Sequence, residues 1–178
     1  YFTASTYVNG KQAQIDSIEK IGASVGLMLE NEADLIRLAA QATTKAKNAY
    51  ITDLNVIELR KHIEKALGDT GISHIYLMYP QIKEADEKSA MTIMLADRKF
   101  IDDGFEPATE YMLSPAYLEA ALAAKKDGSG ITEAYSDEYG KWISFLRAIK
   151  DSNGQTIAIV GVNFDYDTIN QVINKQLI

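Results

Sequence analysis

The chain has 178 residues, 47% of them hydrophobic and 24% charged, an ordinary globular composition long enough for one domain with a real core. Its net charge of −7 argues against a nucleic-acid partner, because an uncompensated acidic surface repels a phosphate backbone. The absence of cysteine excludes disulfides, thiol catalysis and cysteine-held metals, and no segment approaches the ~20 apolar residues of a membrane span.

Residues 5–47 are expected to form one long helix. Ile15, Ile18, Gly22, Val25, Leu29, Ala33, Ile36 and Ala40 recur at alternating three- and four-residue steps, with no proline among them, the pattern of an apolar seam. Gly22 and Gly26 weaken such a helix by about 1 kcal/mol each relative to alanine. The small residues of the seam suit packing on the same domain or pairing with a second copy. A second helix is expected over 53–67, with Asp53 as its N-cap. A strand over 72–79 follows, stopped by Pro80. Residues 81–88 read as a charged loop and 90–97 as a second strand.

Ser114-Pro115 supplies a helix start, a cap followed by proline at the first helical position, and that helix runs to Lys126. Three strands are then expected, over 131–135, 141–149 and 155–164. The last two are joined by Asp151-Ser152-Asn153-Gly154, in which Asn-Gly tolerates the positive φ of a short hairpin turn. Residues 165–178 close the chain as a helix. The class is α+β, with a long N-terminal helix, a five-stranded antiparallel sheet and a C-terminal helix.

Motifs for chemistry are scarce. His62 and His74 lie on a helix and a strand without a second ligand at metal-binding spacing; His62 reads as solvated and His74 as a strand histidine. There is no nucleophile elbow or phosphate loop. The pairs Asp102-Asp103 and Asp165/Asp167 read as exposed loop acids. Neither an enzyme nor a metal or cofactor is expected.

Gly140-Lys141-Trp142-Ile143 leads through Asp151 and Gly154 into Val160-Gly161-Val162-Asn163. This segment resembles the terminal hairpin of the Cache superfamily, the PAS-like extracytoplasmic sensing domains of bacterial chemoreceptors and sensor kinases. The resemblance spans roughly 53–173, and the lack of an internal repeat implies one PAS-like lobe. It divides the single domain 1–178 into a helical stalk (1–52), a ligand-binding lobe (53–164) and an exit helix (165–178). It implies a ligand between the sheet and the linker 99–127. That linker carries Phe100, Phe105, Tyr111, Met112 and Tyr117, while the sheet supplies Tyr76, Met78, Met94, Tyr135, Trp142, Phe145 and Arg147.

Amino-acid-sensing members of this family show R-x-W-Y in the linker, Y-x-D on the next strand and an Asp in the V-G-V-D strand. Here Tyr117 matches the linker tyrosine, but Ser114 and Ala116 stand where Arg and Trp would be. Tyr135-Ser136-Asp137 matches Y-x-D, and Asn163 replaces the last Asp, with Asp165 two residues on. The ammonium-binding half is therefore partly kept and the carboxylate clamp is missing, unless Arg98 or Arg147 substitutes. The implied ligand contacts are Tyr76, Arg98, Tyr111, Tyr117, Tyr135, Asp137, Trp142, Arg147, Asn163 and Asp165.

The implied ligand is an amine, an amino-acid-like molecule or a small carboxylate. The implied protein is a chemoreceptor, with a histidine kinase, a diguanylate cyclase or a ligand-free dimerisation module as alternatives. A start at Tyr1-Phe2 rather than Met is expected of an ectodomain excised from between two membrane helices. In that setting the domain is extracytoplasmic, the full-length protein is membrane-anchored, and two copies pair through the N-terminal helix.

Overall fold

The computed structural model describes residues 4–68 and 71–176. Helices α1 (Ala4–Glu30), α2 (Ala33–Lys45), α3 (Ala49–Thr52) and α4 (Leu54–Glu64) precede the sheet. Then come β1 (Ile72–Ala85), β2 (Lys88–Ala96), α5 (Arg98–Asp102), β3 (Glu110–Met112) and α6 (Pro115–Asp127). The chain closes with β4 (Ser129–Ile131), β5 (Tyr135–Asp137), β6 (Gly140–Lys150), β7 (Thr156–Asp165) and α7 (Tyr166–Gln176).

The sheet is antiparallel, in the order β3-β2-β1-β7-β6-β4, and β5 shares with β4 the outer edge of β6. It has seven strands rather than the five expected from sequence. The expected strand over 131–135 is split, its two ends falling in the three-residue strands β4 and β5 with 132–134 between them, and β3 adds another at the far edge. Strands this short carry too little alternation to register as a period. Pro80 does not end β1. The β1–β2 register shifts between Met78 and Ile82, so the proline sits in an irregular stretch that makes little demand on its missing N–H. The expected charged loop is the outer arm of this hairpin, turned at Asp86 and Glu87 with φ of 51° and 62°.

The expected single helix over 5–47 is broken at Asn31-Glu32, where the Glu32 N–H donates to the Leu29 carbonyl. At about 1.5 Å per residue, α1 alone is long enough to cross the sheet. The break lets Ile36 and Ala39 of α2 remain fully buried on the same side. Asp53 caps α4, accepting from the Asn55 and Val56 N–H groups, and Ser114 caps α6 through the Tyr117 N–H. His62, expected to be solvated, is half-buried beside Glu32.

Strand alternation separates two cores. Ile75, Leu77, Phe145, Val160, Val162 and Phe164 face the N-terminal helices and pack with Ile18, Leu29, Ile36, Leu59 and Ile63. Each such side chain is worth about 1.5–3 kcal/mol of burial. The opposite face packs Tyr76, Met78, Leu146 and Ile159 against α5, α6 and the linker.

α1 lies close on β6: a Cβ at Gly22 would meet Phe145 Cδ1 at 2.2 Å, and one at Gly26 would meet Arg147 Cδ at 2.3 Å. The terminal helices are joined by Gln14 Nε2 donating to Asn170 Oδ1 at 2.7 Å. Gly22→Val is expected to destabilise the domain by about 1–3 kcal/mol through overpacking, read from urea unfolding. The exposed Ser24→Ala is the control, expected within about 0.5 kcal/mol. An unchanged midpoint for Gly22→Val would contradict this close contact.

Candidate functional site

On the sheet face away from the N-terminal helices lies a cavity of about 440 Å³, within the size range of small-molecule sites. Its walls come from β1, β2, β5 and β7, the β3 segment and the start of α6. Tyr76 lies against Gly161, its cross-strand partner. A Cβ there would stand 2.2 Å from the ring, so only glycine lets the tyrosine lie this close to the strand.

From that position Tyr76 begins a buried polar network. Its hydroxyl donates to Asn163 Oδ1 at 2.9 Å and bonds the Tyr117 hydroxyl at 2.8 Å. Ser144 Oγ donates to the same Asn163 oxygen at 2.7 Å and bonds the Tyr135 hydroxyl at 2.7 Å. Asn163 is 3% exposed and Ser144 fully buried. Burial pushes the Tyr76 hydroxyl well above the ordinary tyrosine range, with the neighbouring Tyr117 adding to it. Burial raises Tyr117 and Tyr135 in the same way. All three are neutral hydrogen-bonding groups across the physiological range.

Asp137 stands in the β5–β6 hairpin. Its Oδ1 accepts from the Tyr139 N–H (2.8 Å), the Gly140 N–H (3.1 Å) and Trp142 Nε1 (2.9 Å). Oδ2 makes no hydrogen bond among the described residues, so one oxygen holds the turn and the other is free.

The aromatic wall is a stack. Tyr111, Phe105 and Phe100 follow one another with centroids 4.6 and 4.0 Å apart, His74 continues the stack outside the cavity lining at 4.1 Å from Phe100, and Tyr139 meets Phe100 edge-on at 5.3 Å. Desolvation, with the nearby Tyr111 hydroxyl next, pushes Tyr139 up to about 12.

Among the described residues three carboxylates line the cavity, Asp137, Glu110 and Glu138, and no Lys, Arg or His does. Glu110 pairs with Lys83 on the outside. A site of this kind favours a cation or a neutral molecule over an anion.

Of the sequence-derived contacts, Tyr76, Tyr111, Tyr117, Tyr135, Asp137 and Asn163 line the cavity. Four do not. Arg98 is exposed and holds Asp102 at 2.9 Å. Arg147 points to the opposite face, donating to the Ala23 carbonyl at 3.3 Å and to Glu30 at 3.0 Å, because strand alternation sends residue 147 toward α1. Trp142 stands behind Asp137 as its donor, and Asp165 caps α7 through the Thr168 N–H at 2.8 Å. Met94 and Phe145, also placed in the pocket from sequence, belong to the helix-side core.

Glu110, Glu138 and Tyr139 line the cavity and were missed. The proximity of Glu138 and Tyr139 to Asp137 was the available signal. Ser144 was missed with no sequence cue.

No protein-family model matches the chain, and no curated protein matches it. Among solved structures the chain is similar to the sensory domain of the Campylobacter jejuni chemoreceptor Tlp3 with isoleucine bound. That match has 13% identity, covers 98% of this chain and 69% of that one, and has a TM-score of 0.40. It is also similar to the Escherichia coli DcuS sensor domain, at 13% identity, 85% and 98% coverage and a TM-score of 0.47. A third is the ligand-binding domain of the Pseudomonas fluorescens chemoreceptor CtaA in complex with L-serine, at 24% identity, 92% and 60% coverage and a TM-score of 0.41. These structural neighbours are sensory domains; at such scores they assign no role to any residue here.

The raised tyrosines predict an alkaline limit. A group whose folded pKa is raised keeps its contribution below the unfolded value and loses it above, so stability falls once the pH exceeds about 10, by up to about 1.4 kcal/mol per pH unit per tyrosine. Melting temperatures from pH 8 to 11 should fall less steeply for Tyr117→Phe than for the wild type; parallel curves would contradict the burial of this hydroxyl.

Proposed function

We propose that this chain is the ligand-binding domain of an extracytoplasmic sensor, and that its ligand is a small amine held in the cavity between the sheet and the linker. One observation carries this reading: an aromatic-walled cavity of about 440 Å³ lined, among the described residues, by Asp137, Glu110 and Glu138 and by no basic side chain. A carboxylate ligand would enter without a counter-charge, a loss made larger by partial desolvation. An ammonium finds the free oxygen of Asp137, tyrosine oxygens as acceptors and ring faces that attract cations. The Cache resemblance of 140–165 agrees with a binding module. The lack of a residue at Ser114 able to clamp a carboxylate distinguishes the ligand from an ordinary α-amino acid.

In this reading binding shifts β7 and the β5–β6 hairpin. β7 continues directly into α7, and β6 lies under α1 at Gly22 and Gly26. A change at Asn163 or Asp137 therefore reaches both terminal helices, which Gln14 and Asn170 hold together. Such a displacement is the kind of movement a membrane-anchored receptor, kinase or cyclase can transmit. Two copies pair through α1, whose outer side exposes Leu27; light scattering of the isolated domain reads its mass.

Calorimetry of the domain against alkylamines, amino acids and short carboxylates tests the ligand class. Amines are expected to bind and acetate and succinate not to. Asp137→Asn keeps the Oδ1 acceptor of the hairpin and removes the charge. It is expected to weaken amine binding by about tenfold or more, about 1.4 kcal/mol. Binding of carboxylates in place of amines, or an unchanged affinity in Asp137→Asn, would overturn the proposal.

A further inference from the structure

The proton directions in the buried network are determined by its central acceptor. Each hydroxyl carries one proton. Tyr76 spends its own on Asn163 Oδ1, as does Ser144. The Tyr76–Tyr117 bond must then be donated by Tyr117, whose other acceptor, Met78 Sδ at 3.5 Å, is the weaker one, and the Ser144–Tyr135 bond by Tyr135. The four protons form two relays, Tyr117 to Tyr76 and Tyr135 to Ser144, and the inner proton of each ends on the one carbonyl oxygen. Tyr117 and Tyr135, which both line the cavity, are left with lone pairs to offer it.

Asn163 is left with the opposite character. Its Oδ1 is doubly occupied, and its Nδ2 makes no hydrogen bond among the described residues. The residue is 3% exposed and lines the cavity. Among the described residues, the enclosed side-chain atoms without a hydrogen-bond partner are Nδ1 of His62 and of His74, so the unbonded Nδ2 of Asn163 is open to the space beside it. Neither Nδ2 proton has an acceptor among the described residues, in a place where an unmet donor is unfavourable.

We infer that Asn163 is a specificity-determining residue that presents its amide N–H₂ to the cavity as a fixed donor, so that the ligand carries an uncharged hydrogen-bond acceptor, an ether, carbonyl or hydroxyl oxygen, in addition to its ammonium. The inference rests on the amine reading given above and sharpens it. It separates the roles of two residues that sequence alone places together: Asp137 and the tyrosine oxygens receive the ammonium, and Asn163 receives none of it. A carboxylate at position 163 would keep the bonds from Tyr76 and Ser144 but turn the remaining pole from donor to acceptor.

The test uses two isosteric amines, 2-methoxyethylamine, which has an ether acceptor, and n-butylamine, which has none. The wild-type domain is expected to bind the ether about tenfold more tightly, the worth of one hydrogen bond to an otherwise unpaired donor. Asn163→Asp is expected to lower that preference by about tenfold or more, with a melting profile showing that it is folded. In the wild type, where no variant is needed, the ¹⁵N side-chain amide signal of Asn163 is expected to shift with the ether and much less with butylamine. Equal or reversed preference in the wild type, or a preference unchanged in Asn163→Asp, overturns the inference while leaving the amine reading intact. Failure of both amines to bind overturns the amine reading and the inference with it.

Discussion

The Asn163 carbonyl, buried between the hydroxyls of Tyr76 and Ser144, ties three neighbouring strands together with side chains on the face where the cavity opens. Asn163 sits on β7, Tyr76 on β1 and Ser144 on β6. Tyr117 and Tyr135 extend the same network to α6 and β5. In a low-dielectric interior such a network is stabilising only when its groups are satisfied. Here the satisfied part forms the wall, and the amide nitrogen, unbonded among the described residues, borders the cavity. The pocket is thus shaped by the hydrogen-bond needs of the core around it.

Two close approaches by glycine flank that network on opposite faces of the sheet. Gly161 lets the Tyr76 ring lie on β7, and Gly22 lets α1 lie on Phe145. The first positions a hydroxyl and the second brings a helix within reach of the strand that carries Ser144. A small displacement at the cavity therefore meets a tightly packed helix rather than a yielding one, as close packing makes interiors transmit shifts. Arg147 strengthens the same seam by reaching the Ala23 carbonyl and Glu30.

Much of the fold was legible in local patterns. Asp53 and Ser114-Pro115 announced their helices because capping is decided within a few residues. The turn at Asp151–Gly154 was readable for the same reason, and there Asp151 accepts from the Asn153 and Gln155 N–H groups and pairs with Arg37. The edge strands β3, β4 and β5 escaped because three residues form a strand only when a neighbour offers a ladder. The helix break at Asn31-Glu32 escaped because the apolar seam runs through it unchanged. The arm beyond Pro80 escaped because its Asp86-Glu87 turn lacks the usual Asn-Gly pair.

The site divides along the same line. The sequence alone determined which residue types were present: tyrosines at 76, 111, 117 and 135, the Tyr135-Ser136-Asp137 run, an amide at 163 and no arginine at 114. Those choices leave the linker without the arginine that would grip a carboxylate bidentately at position 114. Only the tertiary structure decided that Arg98 and Arg147 lie outside the cavity, that Trp142 supports Asp137 from behind, and that the Asn163 amide oxygen is occupied while its nitrogen has no bond among the described residues. The physical reason is that a side chain's face follows strand register, and its hydrogen-bonding character follows which of its atoms its neighbours have already occupied.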